Sequence, residues 1–210
     1  MKSEGLAYWY FRLNGFLISQ NYIIHPNHCG SQRTEIDILG VRFPYKAEII
    51  NGKKMADEAI FESKNKPYII IADATISPCK LNDAWIDPAK KNIHDFLRVV
   101  GAFEDKDSII DGIAKKLYEE GFFENDSYCV SLFCVGKLKN PTLHSKYPNV
   151  PQITWNGVLK FIYNRFNKYE REKRAHNQWD KDGNQLWECF KRNKHCETNF
   201  INEIIDNLDT

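Results

Sequence analysis

No apolar run in this chain of 210 residues reaches the roughly 18 residues that would cross a bilayer as a helix. The most apolar early stretch, Leu6 to Ile18, is interrupted by Arg12 and Asn14 and lacks a signal-peptide cleavage pattern. A soluble, cytoplasmic protein with no membrane partner is the expectation. A dominant charge is also missing. With a net charge of +1 there is no global electrostatic footprint, so a nucleic-acid surface has to be a local patch. The six cysteines (Cys29, Cys79, Cys129, Cys134, Cys189, Cys196) include no CxxC pair. That argues against a disulfide framework and favours reduced thiols packed as small hydrophobes. No internal repeat and no low-complexity tract occurs either.

What is present is ordinary globular material, 42% hydrophobic and 27% charged, in a chain long enough to bury a substantial core. Leu6, Trp9, Tyr10, Leu13, Phe16 and Leu17 recur on one helical face, which predicts a helix over 4–19 with Ser3 as its cap. Two β-branched runs follow, Glu35 to Val41 and Tyr68 to Thr75, each reading as a strand. Between them Asn51-Gly52 predicts a hairpin turn and Lys53 to Phe61 a short helix. Lys80 to Trp85 reads as a loop leading away from the second strand. Helices are predicted from Asn92 to Val100 and from Asp107 or Ser108 to a stop at Gly121. Tyr128 to Val135 is a continuous apolar strand, expected to be covered on both faces. Thr154 caps a long helix, and two closing helices are expected from Asn184 onward. This order predicts an α/β fold, a sheet flanked by helices, with Pro141 to Pro151 as the best candidate linker.

The two runs that read as strands carry carboxylates where apolar residues are expected, and a buried acid is costly unless a cation or donor meets it. Residues i and i+2 of a strand share a face, so Glu35 points with Asp37, and Asp73 with Thr75. If the strands are neighbours, Asp37 and Asp73 converge on one hard divalent cation such as Mg²⁺, which takes oxygen ligands and keeps water. A metal-dependent phosphodiesterase follows from that arrangement, because the cation activates water and stabilises charge on phosphate. The plainer alternative is that these acids are solvated at strand ends or pair with Arg33 and Lys80.

The helix, then Glu35-Ile36-Asp37, then Asp73-Ala74-Thr75, then a helix and a further strand, resembles the PD-(D/E)XK nuclease (restriction-endonuclease-like) superfamily over roughly residues 4–136. The resemblance implies an αβββαβ core at 1–140, a mixed sheet flanked by helices, with a helical C-terminal extension at 151–210 packed on it. It implies a DNA endonuclease or related hydrolase in which Asp37, Asp73 and the Ala74 carbonyl hold Mg²⁺, or Mn²⁺ in its place. The catalytic set is Asp37 and Asp73, with Glu35 as accessory acid and Thr75 and Lys80 near the water. The family's lysine position is occupied by Thr75. Either Lys80 folds back across Pro78 to replace it, the metal alone activates the water, or the site is degenerate. In the last case the chain would bind nucleic acid or a protein partner without cutting it.

Between Lys160 and Lys194 ten basic residues stand against five acidic ones, with aromatics interleaved. Lys160, Arg165, Lys168 and Arg171, with Arg33, are the candidate phosphate contacts for nucleic acid, DNA ahead of RNA. A solvated helix face with stabilising ion pairs has the same composition. Enzymes that cut both strands often pair up, so a homodimer is compatible with the resemblance. Asp180-x-Asp182-Gly183 is not a calcium loop, because the glycine comes too early and no closing glutamate follows. His25, His28 and Cys29, and Cys189, His195 and Cys196, lack finger-like zinc spacing.

Overall fold

Leu6, Trp9, Tyr10 and Leu13 recur at helical spacing, and all four are buried along α1 (Ser3–Leu13). The computed structural model describes residues 1–25, 34–50, 52–62, 65–174 and 179–209. The first helix ends sooner than the periodicity predicts. Asn14 donates from its side chain to the Tyr10 carbonyl, and Gly15 takes a left-handed φ of +83°, a conformation glycine adopts without penalty. The chain then reverses into β1 (Leu17–Ile24), so Leu17 and Ile18 lie in a strand and not in the helix.

β2 (Thr34–Arg42) follows, and the hairpin of β3 (Ile49–Ile50) and β4 (Lys53–Lys54) flanks Gly52. Of the helix predicted over Lys53 to Phe61 only α2 (Ala59–Glu62) forms. β5 (Tyr68–Ala74) is the second acidic strand. Next come α3 (Asp83–Ile86), α4 (Asn92–Val100) and α5 (Asp107–Glu120), the last ended by Gly121 as predicted. β6 (Phe122–Glu124), β7 (Cys129–Gly136), α6 (Pro141–Lys146) and β8 (Gln152–Thr154) lead to α7 (Trp155–Lys168), whose first turn is capped by the Thr154 hydroxyl accepting from Gly157 N–H. α8 (Glu170–Lys173), α9 (Lys181–Arg192) and α10 (Glu197–Asp206) complete the chain.

The main sheet has the order β1-β2-β5-β7-β6, with β8 also on β7. β1, β2 and β5 are antiparallel neighbours; β5 and β7 run parallel, so α4 and α5 belong to the crossover between them. Every residue of β7 is buried, as expected for a strand covered on both faces. Alternate residues of β5 serve opposite layers. Ile70 and Ala72 pack with Leu6, Phe11, Val158, Phe190 and Phe200, whereas Ile69 and Ile71 pack with Ile93, Phe96, Ile113 and Leu117. The helices α7, α9 and α10 therefore share one core with α1. The Pro141 to Pro151 segment, read from sequence as a linker, carries α6 and buries Tyr147 and Val150 against the opposite layer. No helix among the described residues is long and apolar enough to cross a membrane.

Candidate acidic site

β2 and β5 bring their acids together through register. The ladder pairs Ile38 with Ala72, so the next position outward on each strand is Asp37 and Asp73. β2 also changes faces here. Ile38 packs in the layer of α1 and Ile36 in the opposite layer, so the two-residue alternation breaks at Asp37. On the other side, the β1 ladder runs to Gln20↔Ile38 and resumes at Tyr22↔Ile36. The residue opposite Asp37 is thus Asn21, one of two non-glycine residues with positive φ among those described, at +50°. This irregularity ends the regular strand face at the point where the acid is needed.

Asp37 Oδ2 accepts a hydrogen bond of 2.9 Å from the Ala74 amide. Asp73 is 8% exposed and both of its oxygens accept from the chain that follows it. Oδ2 takes the Asn82 amide at 2.6 Å and Oδ1 the Trp85 indole N–H at 3.2 Å. The segment after β5, read from sequence as leading away, instead folds back over Asp73. It is pinned there by the Cys79 amide donating to Leu138 O, by Asn140 Nδ2 donating to Cys79 O, and by Cys134 Sγ donating to Lys80 O. Gly136 permits this, because a Cβ there would sit 2.8 Å from Ser77 O and 2.9 Å from the Cys79 amide.

Electrostatics follow from this geometry. Burial raises the pKa of Asp37; the Ala74 amide opposes that, and the charges of Glu4 and Glu35 add to it. Asp73 is pushed up to about 7, first by burial and also by the Asp37 charge, against the opposing effects of the Asn82 amide, the Trp85 indole and Lys80. Asp73 is thus raised in part by its neighbour Asp37, and Asp37 by burial with Glu4 and Glu35, so negative charge is crowded at this end of the sheet.

Asp37, Asp73, Ala74, Thr75 and Lys80 all line one cavity of about 440 Å³, together with Glu4, Leu81, Asn82 and Asp83. Glu4, at the start of α1, is a further carboxylate in the lining that the sequence did not single out. Asn82 and Trp85 were also missed as partners, although Asn82-Asp83 carries a cap signal, with the Asn82 side chain accepting from Ala84 N–H. Glu35 is exposed and not part of the lining, and it acts on Asp37 through its charge. Thr75 is a joint in the scaffold: its hydroxyl accepts from Ser77 N–H and its carbonyl from the Trp155 indole. Among the described residues no group of three or more His, Cys, Asp or Glu is gathered so as to hold a metal ion. A cation here would rest on the Asp37 and Asp73 carboxylates and on water, the coordination Mg²⁺ commonly accepts.

Two of the expected phosphate contacts, Arg165 and Lys168, line a different cavity. Arg33 lies outside the described residues. Lys160, Lys168 and Arg171 are exposed, but Arg165 is 3% exposed, with Nη2 bonded to Ala56 O at 2.6 Å and Asp57 Oδ1 at 3.2 Å. That region joins α1 at its far end, where Asn14 Oδ1 accepts from the Glu58 amide. Ten residues of helix separate Glu4 from Asn14, about 15 Å. Comparison with protein-family models, with curated proteins and with solved structures returned no match.

Proposed function

We propose that this protein is a divalent-metal-dependent nuclease of the PD-(D/E)XK type, cutting phosphodiester bonds in nucleic acid, DNA ahead of RNA. The observation that carries the reading is the convergence of Asp37, Asp73 and Lys80 on one polar cavity at the end of adjacent strands. The element order supports it: a helix, an antiparallel three-strand meander, crossover helices and a parallel fourth strand correspond to the αβββαβ order of that superfamily. Asp37 and Asp73 would hold Mg²⁺, or Mn²⁺ in its place. The ion, when bound, supplies Lewis acidity and a more acidic water. Glu4 adds a third carboxylate to the wall, and Lys80, also in the lining, would supply an ammonium to orient water or a phosphate oxygen. Cutting both strands would be compatible with a homodimer.

Incubation of duplex DNA with Mg²⁺ tests the reading. Asp37→Ala and Asp73→Ala are each expected to lower metal-dependent cleavage by about 100-fold or more, and unchanged cleavage in both overturns it.

One observation favours a second reading, a binding module with this fold and no chemistry. Both Asp73 oxygens already accept protein hydrogen bonds, and Thr75 stands where the superfamily has lysine. Salt-dependent nucleic-acid binding without turnover in Mg²⁺ and Mn²⁺ would decide for it.

A further inference from the structure

At the end of α1 away from the acidic cavity, one buried carboxylate serves three cations. Asp57, with its side chain 2% exposed, lies 2.8 Å from Arg42 Nη2, 3.1 Å from Lys46 Nζ and 3.2 Å from Arg165 Nη2. Arg42 is otherwise satisfied, donating to the carbonyls of Asn14 and Phe61. Arg165 is not. Its Nη1 is buried and has no acceptor among the described residues. Its guanidinium is oriented by the Phe161 ring, whose centroid lies 4.9 Å from the guanidinium carbon. Arginine protons left without an acceptor away from water are costly.

Positive charge is also crowded here. Lys173, half-buried and 3.8 Å from Glu48, has its pKa lowered by burial, and the charges of Arg165, Lys46 and Arg12 add to that effect. Glu58, the other acid beside Arg165, has its pKa raised by burial, against the lowering effect of the Arg165 charge. Arg165 and the exposed Lys168 line a cavity of about 250 Å³ between the Ala56–Ala59 segment and α7. The wall carries Arg165 and Lys168 beside Asp57 and Glu58, and Arg42, Lys46 and Lys173 lie around it with Glu48. Five cations thus face three carboxylates, with one guanidinium edge unpaired, a setting that suits a compact oxyanion.

We propose that this cavity is a second ligand site, separate from the acidic one, which binds a phosphate group through Arg165 and Lys168 with Lys173 alongside. The phosphate belongs either to a nucleic-acid strand or to a free phosphorylated small molecule; the chemistry is shared and the sources are separable. Its distance from Asp37 follows from β2: five residues of strand separate Asp37 from Arg42, about 17 Å. An occupant here would therefore touch none of the residues that line the acidic cavity.

Calorimetric titration of the full chain with inorganic phosphate tests the site. One equivalent is expected to bind saturably, at least tenfold more weakly to Lys168→Met and to Lys173→Met, and unchanged in Asp73→Asn. Lys168 is exposed, so its variant reads binding and not folding. Circular dichroism of Lys173→Met checks that the other is folded. A second titration uses a short single-stranded oligonucleotide. Loss of its affinity in Lys168→Met assigns the site to a strand; retained affinity, with phosphate binding still lost, assigns it to a free phosphorylated molecule. No saturable phosphate binding by the parent protein, or binding equal in the parent and both lysine variants, overturns the proposal.

Discussion

Asp37 Oδ2 accepts its hydrogen bond from the amide of Ala74, the residue directly after Asp73. One acid is therefore fastened to the backbone that carries the other, and strand pairing rather than a loop sets their proximity. Asp37→Asn keeps an oxygen for that amide while removing the charge. Stability should change by no more than about 1 kcal/mol, and metal-dependent cleavage should fall by about 100-fold. The charge of Asp37 is one of the causes that raise Asp73. The Asp73 midpoint, followed by carboxyl carbon NMR, should accordingly move down from about 7 in the variant.

Asp73 also links stability to pH. Its folded pKa of about 7 lies above the ordinary carboxylate value of about 4. The native state keeps a proton that the unfolded chain has released, so this contribution is complete below about pH 4 and is lost as pH rises through about 7. Chemical denaturation at a series of pH values should show stability falling over that window. Asp73→Asn should flatten the slope, leaving the part due to Asp37, which is raised in the same direction. The asparagine accepts only one of the two hydrogen bonds from Asn82 and Trp85, an additional cost of about 1 kcal/mol at every pH.

The elements with strong periodicity were legible in the sequence, and those decided by a single turn were not. α5, β7 and the cap at Thr154 follow from local pattern, because their apolar spacing and stop signals agree with their burial. The first helix was overextended because Phe16 and Leu17 continue its apolar stripe. Only the Asn14-Gly15 reversal, which competes with that stripe, separates helix from strand. The pairing of Asp37 with Asp73 was legible as two acids in apolar runs. The return of Asn82 and Trp85 onto Asp73 was not, since it depends on Gly136 letting the Ser77–Cys79 backbone lie against β7. Arg165 shows the limit of composition. Counted among the exposed cations of a basic segment, it is spent on a buried aspartate that lies far from it in sequence.

That aspartate should be the most sensitive position outside the core. Asp57→Ala leaves Arg42 and Arg165 buried without their shared partner, which should cost about 3–5 kcal/mol. The pH dependence has the opposite sign to that of Asp73. The pKa of Asp57 is lowered; burial opposes this, and is outweighed by hydrogen bonds from Arg42, Lys46 and Arg165 and by the Lys46 charge. Its stabilisation is present above about pH 4 and is lost as pH falls through the lower folded value. Acid denaturation should therefore show the gap between parent and variant closing below about pH 4.

Gly136→Ala probes the scaffold of the acidic cavity without touching its lining. The added methyl meets backbone atoms, Ser77 O and the Cys79 amide, which cannot rotate aside as a side chain would. The loop must shift, at a cost of about 1–3 kcal/mol. Asn82 and Lys80 then move relative to Asp73. The expected result is a folded protein with a changed Asp73 titration midpoint and reduced cleavage, the first checked by NMR and the second by the DNA assay.

On the proposed nuclease reading Lys80 is the cation in the wall of the acidic cavity, and its charge gives a readout that a purely structural residue would not. It lowers the pKa of Asp73, so Lys80→Met should raise that pKa above about 7 and shift the acid limb of the cleavage profile to higher pH. Lys80→Arg keeps the charge and should leave the limb in place. If the ammonium also orients the attacking water, both variants lose rate, by about 100-fold to 10,000-fold for methionine at the pH optimum and by less for arginine. A methionine variant whose limb shifts but whose plateau rate is unchanged would confine Lys80 to tuning Asp73, and water activation would then fall to the carboxylates and their cation.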